Sequence, residues 1–184
     1  MKTALLIVDI QNDYFPGGKM ELSGSEEASL KAKSILEHFR KSGLPVIHIQ
    51  HISVREGSTF FIPDTTGVKI HKNVTPAEGE KVFTKYYPSS FRETGLDEYL
   101  KSNGITNLVI CGMMTHMCID TTVRAAFDLG YTNILAYDAC ATRELNAVDG
   151  SVIPAGHVHN AFIAALGMVF AKTVKADEIP ALLA

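Results

Sequence analysis

The chain has no tryptophan, only three cysteines, no apolar run of membrane length and no cluster of basic residues. Each absence removes a class of protein. Cys111, Cys118 and Cys140 are odd in number, lack metal-type spacing and sit in or beside apolar segments, which argues for reduced thiols rather than a disulfide framework. A membrane span needs about 20 apolar residues in a row. None is present, and Met1-Lys2-Thr3 leads straight into an apolar strand without a secretory pattern, so a cytoplasmic protein with no membrane partner is expected. A net charge of −3 with well-mixed signs gives no footprint for nucleic acid. What remains is 184 residues with 46% hydrophobic side chains, enough for a single domain over 1–184 with a sizeable core.

The hydrophobic pattern alternates between strand and helix. Ala4 to Val8 is continuously apolar, as a strand covered on both faces should be, and Glu26 to Arg40 follows with helical spacing at Ala28, Ala32, Ile35, Leu36 and Phe39. Gly43 stops that helix, and Pro45 to Gln50 reads as a second strand. From His51 to about Thr84 the pattern is irregular, with three glycines, two prolines and a brief polar-apolar segment at Lys81 to Thr84. So long a connection usually serves a function, here the shaping of a substrate pocket. Alternation resumes with a helix at Leu96 to Ser102, a strand at Leu108 to Cys111, a helix from Cys118 to Leu129 and a strand at Asn133 to Tyr137. A helix near His157 to Leu166, a strand at Val169 to Ala171 and a terminal helical turn complete the chain. Repeated β-α units predict a three-layer α/β fold, a doubly wound and mainly parallel sheet with helices on both faces.

Chemistry in such sheets sits at the carboxyl ends of the strands. Asp9 ends the first apolar run, and Cys118 follows the Leu108 to Cys111 run at the start of a helix. Free cysteine is commonly a core residue, which is how Cys111 and Cys140 read. Cys118 differs in its placement, because a helix N-terminus or a nearby cation can lower a thiol pKa from about 8.5 into the range 3.5–7.5. The free amides there could also hold an oxyanion. Asp9 is the candidate proton acceptor, against the alternative that it caps the turn at Gln11, Asn12 and Asp13. Lys85, between Val82-Phe83-Thr84 and Tyr86-Tyr87-Pro88, is the candidate cation in a partly enclosed place. A flavodoxin-like redox or binding module would share the alternation. Yet Asp9 to Asp13 offers carboxylates where a phosphate binder needs glycines and bare amides. A catalytically idle scaffold, with Met113, Met114 and Met117 as packing surface, is the other rival.

Three ordered segments, Leu5 to Phe15, Thr84 to Phe91 and Gly112 to Thr122, resemble those of the isochorismatase-like cysteine hydrolases, which include nicotinamidases and N-carbamoyl amide hydrolases. The resemblance spans essentially the whole chain. It implies Cys118 as nucleophile, Asp9 as general base and later acid, and Lys85 holding both ionised. It also implies a cis peptide at Met113–Met114, an oxyanion site at the Met114 and Cys118 amides, a small-molecule substrate and a homo-oligomer. Retention of Cys118 favours attack on an amide carbonyl over the enol-ether cleavage of isochorismatases proper, with ester cleavage as the alternative. Nicotinamidases of this family hold a metal through an Asp-x-His arrangement after the second strand. Here Gln50-His51 stands without that aspartate, so no metal and no cofactor are expected. Gln11, Phe15, Gln50, His51 and His116 are the expected substrate contacts.

Overall fold

The apolar runs become neighbouring strands of one sheet because each needs cover on two faces. The structure, a computed structural model, describes residues 2–183. Its strands are β1 (Lys2–Val8), β2 (Val46–His51), β3 (Lys81–Lys85), β4 (Ile105–Met113), β5 (Thr132–Ala141), the short β6 (Leu145–Asn146) and β7 (Val152–Ile153), and β8 (Lys172–Val174). The helices are α1 (Ser25–Lys41), α2 (Leu96–Ser102), α3 (Asp120–Asp128), α4 (Ala155–Val169) and α5 (Ile179–Leu183). Six strands pair in the order β3-β2-β1-β4-β5-β8, every pair parallel, while β6 and β7 form a separate antiparallel hairpin. The chain winds outward from β1 to β3, then restarts at β4 on the other side of β1, so the order reverses between β1 and β4. This is the place where doubly wound sheets open a crevice.

Successive side chains of a strand face opposite ways, and β1 uses both. Leu5 and Ile7 pack with Ala28, Ala32, Ile35, Leu36 and Phe39 of α1, whereas Ala4, Leu6 and Val8 pack with Leu96 and Leu100 of α2 and Val123 and Ala126 of α3. Full burial of each Leu, Ile, Val or Phe among them is worth about 1.5–3 kcal/mol. The α1 ends suit its dipole, with Glu26 and Glu27 in the first turn and His38, Arg40 and Lys41 in the last.

Three expectations change. Val169 to Ala171 is not a strand: α4 runs on to Val169, the Phe170 and Ala171 amides both donate to the Leu166 carbonyl, and the strand begins at Lys172. The run from Ile163 to Ala171 is apolar throughout, so periodicity could not separate a helix end from a strand there. The Lys81 to Thr84 segment, read as part of a loop, is the edge strand β3, and His51 closes β2 instead of opening a loop. The helix expected from Cys118 starts earlier, as a π-helical turn over Thr115–Ile119 that runs into α3. Among the described residues no helix is long and apolar enough to cross a membrane.

The long connection after β2 is stapled down rather than loose. His71 donates its amide to the Ile10 carbonyl, Asn12 to Lys69 and Asp13 to Gly67. The Asp13 carboxylate accepts the amides of Phe61 (2.6 Å) and Lys19 (3.2 Å).

Where β4 passes the end of β1 the backbones nearly touch. A Cβ on Gly112 (φ 134°) would lie 1.9 Å from the Val8 carbonyl oxygen, a position open only to glycine. Gly112→Ala should therefore destabilise the protein by at least ~3 kcal/mol in urea unfolding. Stability within ~0.5 kcal/mol of the parent protein would contradict this packing.

Candidate active site

Four strands deliver one side chain each to the carboxyl edge of the sheet. Asp9 follows β1 directly, His51 ends β2, Lys85 ends β3, and Cys118 lies on the turn after β4. In the parallel register His51 and Lys85 are partners on adjacent strands. Asp9 takes a left-handed backbone conformation (φ 52°) while its amide donates to the Ile49 carbonyl. A non-glycine residue there is uncommon and tends to mark a site whose surroundings hold it in place.

Lys85 Nζ is the hub. It lies 2.7 Å from Asp9 Oδ2, 2.8 Å from His51 Nδ1, 3.0 Å from the Tyr87 carbonyl and 3.2 Å from Cys118 Sγ. Asp9 and Lys85 are both wholly buried, and Cys118 is 5% exposed. A buried charge pair of this kind stands only while both partners remain. Ligand atoms of Asp9, His51 and Cys118 fall within 4.8 Å of one another, a spacing that could hold a metal ion. The ammonium already lies within contact distance of all three and supplies the positive charge at that point.

The electrostatics correct one expectation. Burial, then the Asp9 carboxylate, push the Cys118 thiol pKa well up, and Lys85 pulls it down by less. The resting thiol is thus protonated at neutral pH, where the sequence suggested a thiolate; desolvation outweighs the helix terminus. Burial opposes the charge on Lys85, but its neighbours, the Asp9 carboxylate first, more than offset it and hold its pKa above the usual value. Burial and the Lys85 charge bring His51 down to about 4, so its imidazole is neutral and Nδ1 accepts from the ammonium. Tyr14, buried near Cys118 and Asp9, is pushed well up and stays a neutral phenol.

The nucleophile turn is braced from outside. Met117 and Ile119 both donate their amides to the Met114 carbonyl, and the Met113–Met114 peptide is cis. Thr115 Oγ1 reaches the Ala141 carbonyl (3.3 Å) and His159 Nδ1 (3.0 Å). Ser90, just after β3, bonds Thr122 of α3 through both its amide and its hydroxyl, tying the lysine strand to the cysteine helix. Thr115, Ser90 and Thr122 stand inside the quoted segments, but their polar pairing is a tertiary fact. His159 and the Tyr87 carbonyl carry no local signal at all.

The structure gives each expected substrate contact a partner within the fold. Gln11 is fully buried and spends its amide on the fold: Nε2 donates to the His51 and Val68 carbonyls, and Oε1 accepts the His51 amide. Phe15 is buried and stacks on His71 with ring centroids 3.6 Å apart. Gln50 donates to the Val68 carbonyl, and His116 pairs with Thr142 Oγ1 while its ring meets Phe162 edge-on. His51 faces Lys85. The long connection does wall a cavity of about 500 Å³, with Thr59, Ile62, Thr65 and Thr66 opposite Asn12 and Lys19, but Asp9, Lys85 and Cys118 do not line it.

The Isochorismatase domain model matches residues 3–162. The isochorismatase family protein YddQ of Bacillus subtilis, itself uncharacterized, is 51% identical over 97% of this chain and 98% of its own. The crystal structure of an isochorismatase from Pseudomonas putida superposes with a TM-score of 0.90 at 38% identity, covering 96% of this chain and 89% of that one. N-carbamoylsarcosine amidase from Thermoplasma acidophilum superposes with a TM-score of 0.83 at 25% identity, covering 97% and 98%.

Removing the cation alone should be costly. Lys85→Met leaves a buried carboxylate without its partner and should lose about 3–5 kcal/mol in denaturant unfolding. The double variant Asp9→Asn/Lys85→Met should lose clearly less than the sum of the two single changes. Simple additivity would contradict the pairing.

Proposed function

The chain belongs to the isochorismatase family, and on that footing we propose that it is a cysteine-dependent hydrolase of a small-molecule amide C–N bond, working through a thioester on Cys118. The observation that carries this reading is the single ammonium that touches both the Asp9 carboxylate and the Cys118 sulfur. A nucleophile, a proton acceptor and a cation are what acyl transfer by a thiol requires.

In the proposed cycle Asp9 takes the thiol proton as Sγ adds to the carbonyl carbon, and the Met114 and Cys118 amides hold the oxyanion. Asp9 then returns the proton to the leaving nitrogen as the C–N bond breaks, freeing ammonia or an amine. Water adds to the thioester and loses its proton to Asp9. The C–S bond then breaks, the acid departs and the proton goes back to sulfur. The buried, protonated Cys118 thiol fits this order, because it brings the proton that the cycle moves. Lys85 keeps a positive charge beside both groups as negative charge moves between carboxylate and sulfur. An amide is favoured because its nitrogen needs the acid that Asp9 becomes, and because a structurally similar protein is an N-carbamoylsarcosine amidase.

A reducing cytoplasm suits a chain whose three cysteines are unpaired and buried. The proposed assembly is a homo-oligomer through α4, which carries no charged side chain yet exposes Met168 and Val169. Sedimentation of the parent protein as a multimer and of Met168→Glu as a smaller species is expected; a monomeric parent rules it out.

Ammonia release from a panel of primary amides and N-carbamoyl compounds tests the main proposal. The parent protein should release ammonia from at least one class, and Cys118→Ala should fall by ~10³-fold or more with its fold intact. Equal activity in the two proteins would end this account.

A further inference from the structure

We propose that His51 is a positioning residue for Lys85: by accepting one of the three ammonium protons it competes with Cys118 for the hydrogen bond that would stabilise a thiolate. The role of Cys118 in turnover rests on the reading above, but the distribution of protons around Lys85 does not.

An ammonium has three N–H bonds, and four acceptors surround Nζ. Asp9 Oδ2, His51 Nδ1 and the Tyr87 carbonyl stand at 2.7, 2.8 and 3.0 Å, and the larger sulfur atom at 3.2 Å is within hydrogen-bond reach as well. Sulfur is the weakest acceptor of the four. Four acceptors therefore share three protons, and the weakest of them, the Cys118 sulfur, competes with His51 for one. Without His51 one N–H would turn to the sulfur, which is what stabilises a thiolate.

His51 is held for this task by backbone as well as side chain. Its amide and carbonyl are both bound by the buried Gln11 side chain, at 2.8 and 2.9 Å, and the parallel register sets it beside Lys85. The Phe61 ring lies 5.8 Å from the imidazole centroid. Its neutral state at neutral pH leaves the Nδ1 lone pair free to accept. The other titratable groups facing this cluster are Asp9 after β1, Lys85 on β3, Cys118 on the nucleophile turn, and Tyr14 and Asp13 from the segment following Asp9. Tyr14 stays neutral, and Asp13 is engaged by the Phe61 and Lys19 amides.

The test is the rate of Cys118 alkylation by iodoacetamide as a function of pH, read by peptide mass spectrometry in the parent protein, His51→Leu and His51→Asn. With the acceptor gone, His51→Leu should be alkylated about tenfold faster at neutral pH, its midpoint about one unit lower. His51→Asn, whose carbonyl can stand where Nδ1 was, should return toward the slow parent rate. A merely structural histidine would leave the midpoint where it was. The backbone clamp by Gln11 does not involve the ring, so the leucine variant should fold. Should circular dichroism show otherwise, His51→Gln, with its carbonyl displaced from the Nδ1 position, should show the same acceleration. An unchanged or higher midpoint in the folded variant that lacks the acceptor overturns the proposal. Alkylation needs no turnover, so a failed amide assay leaves this result readable, and the reverse holds too.

Discussion

A buried carboxylate and a buried ammonium held 2.7 Å apart set the terms for everything at the carboxyl edge of this sheet. Neither Asp9 nor Lys85 meets solvent, and desolvation penalises both charges unless the partner is in place. That requirement explains why β3, a short edge strand, is fixed so firmly. Its register with β2, the Ser90–Thr122 contact to α3 and the Tyr87 carbonyl on Nζ all hold the lysine against its counter-charge. Gly112 serves the same end by letting β4 close on the tip of β1, bringing the nucleophile turn beside Asp9.

Much of this was legible in the sequence, and the physical reason is locality. α1 and α2 announce themselves because burial on one face leaves a period in the chain, β1 because it is a short apolar run next to a turn, and Asp9, Lys85 and Cys118 stand at or near the ends of apolar runs, where an open α/β sheet exposes its chemistry. The Val169 to Ala171 segment misled because an all-apolar run has no period to read. For Gln11 and Phe15, in the same segment as Asp9, the sequence could not show that one clamps the backbone of β2 and the other stacks on His71. His51 could not be placed on Lys85 without the register that pairs two strands distant in sequence.

The protonation state was the least legible feature, because it is a balance. A helix start and a cation favour a thiolate, and both are present near Cys118. Burial and the adjacent carboxylate favour the thiol, and in this geometry they prevail. The site thus keeps its proton on sulfur, with Lys85 shared between Cys118 and Asp9. Attack on a substrate then becomes a short transfer between neighbours, in which the charge moves but the counter-ion does not.

The most direct measurement is the thiolate absorbance of the parent protein minus that of Cys118→Ser, followed from neutral to alkaline pH. The account predicts no thiolate difference at neutral pH and a signal that rises only well above the ordinary cysteine range. A full thiolate difference already present at neutral pH would contradict it, and would place the resting negative charge on sulfur.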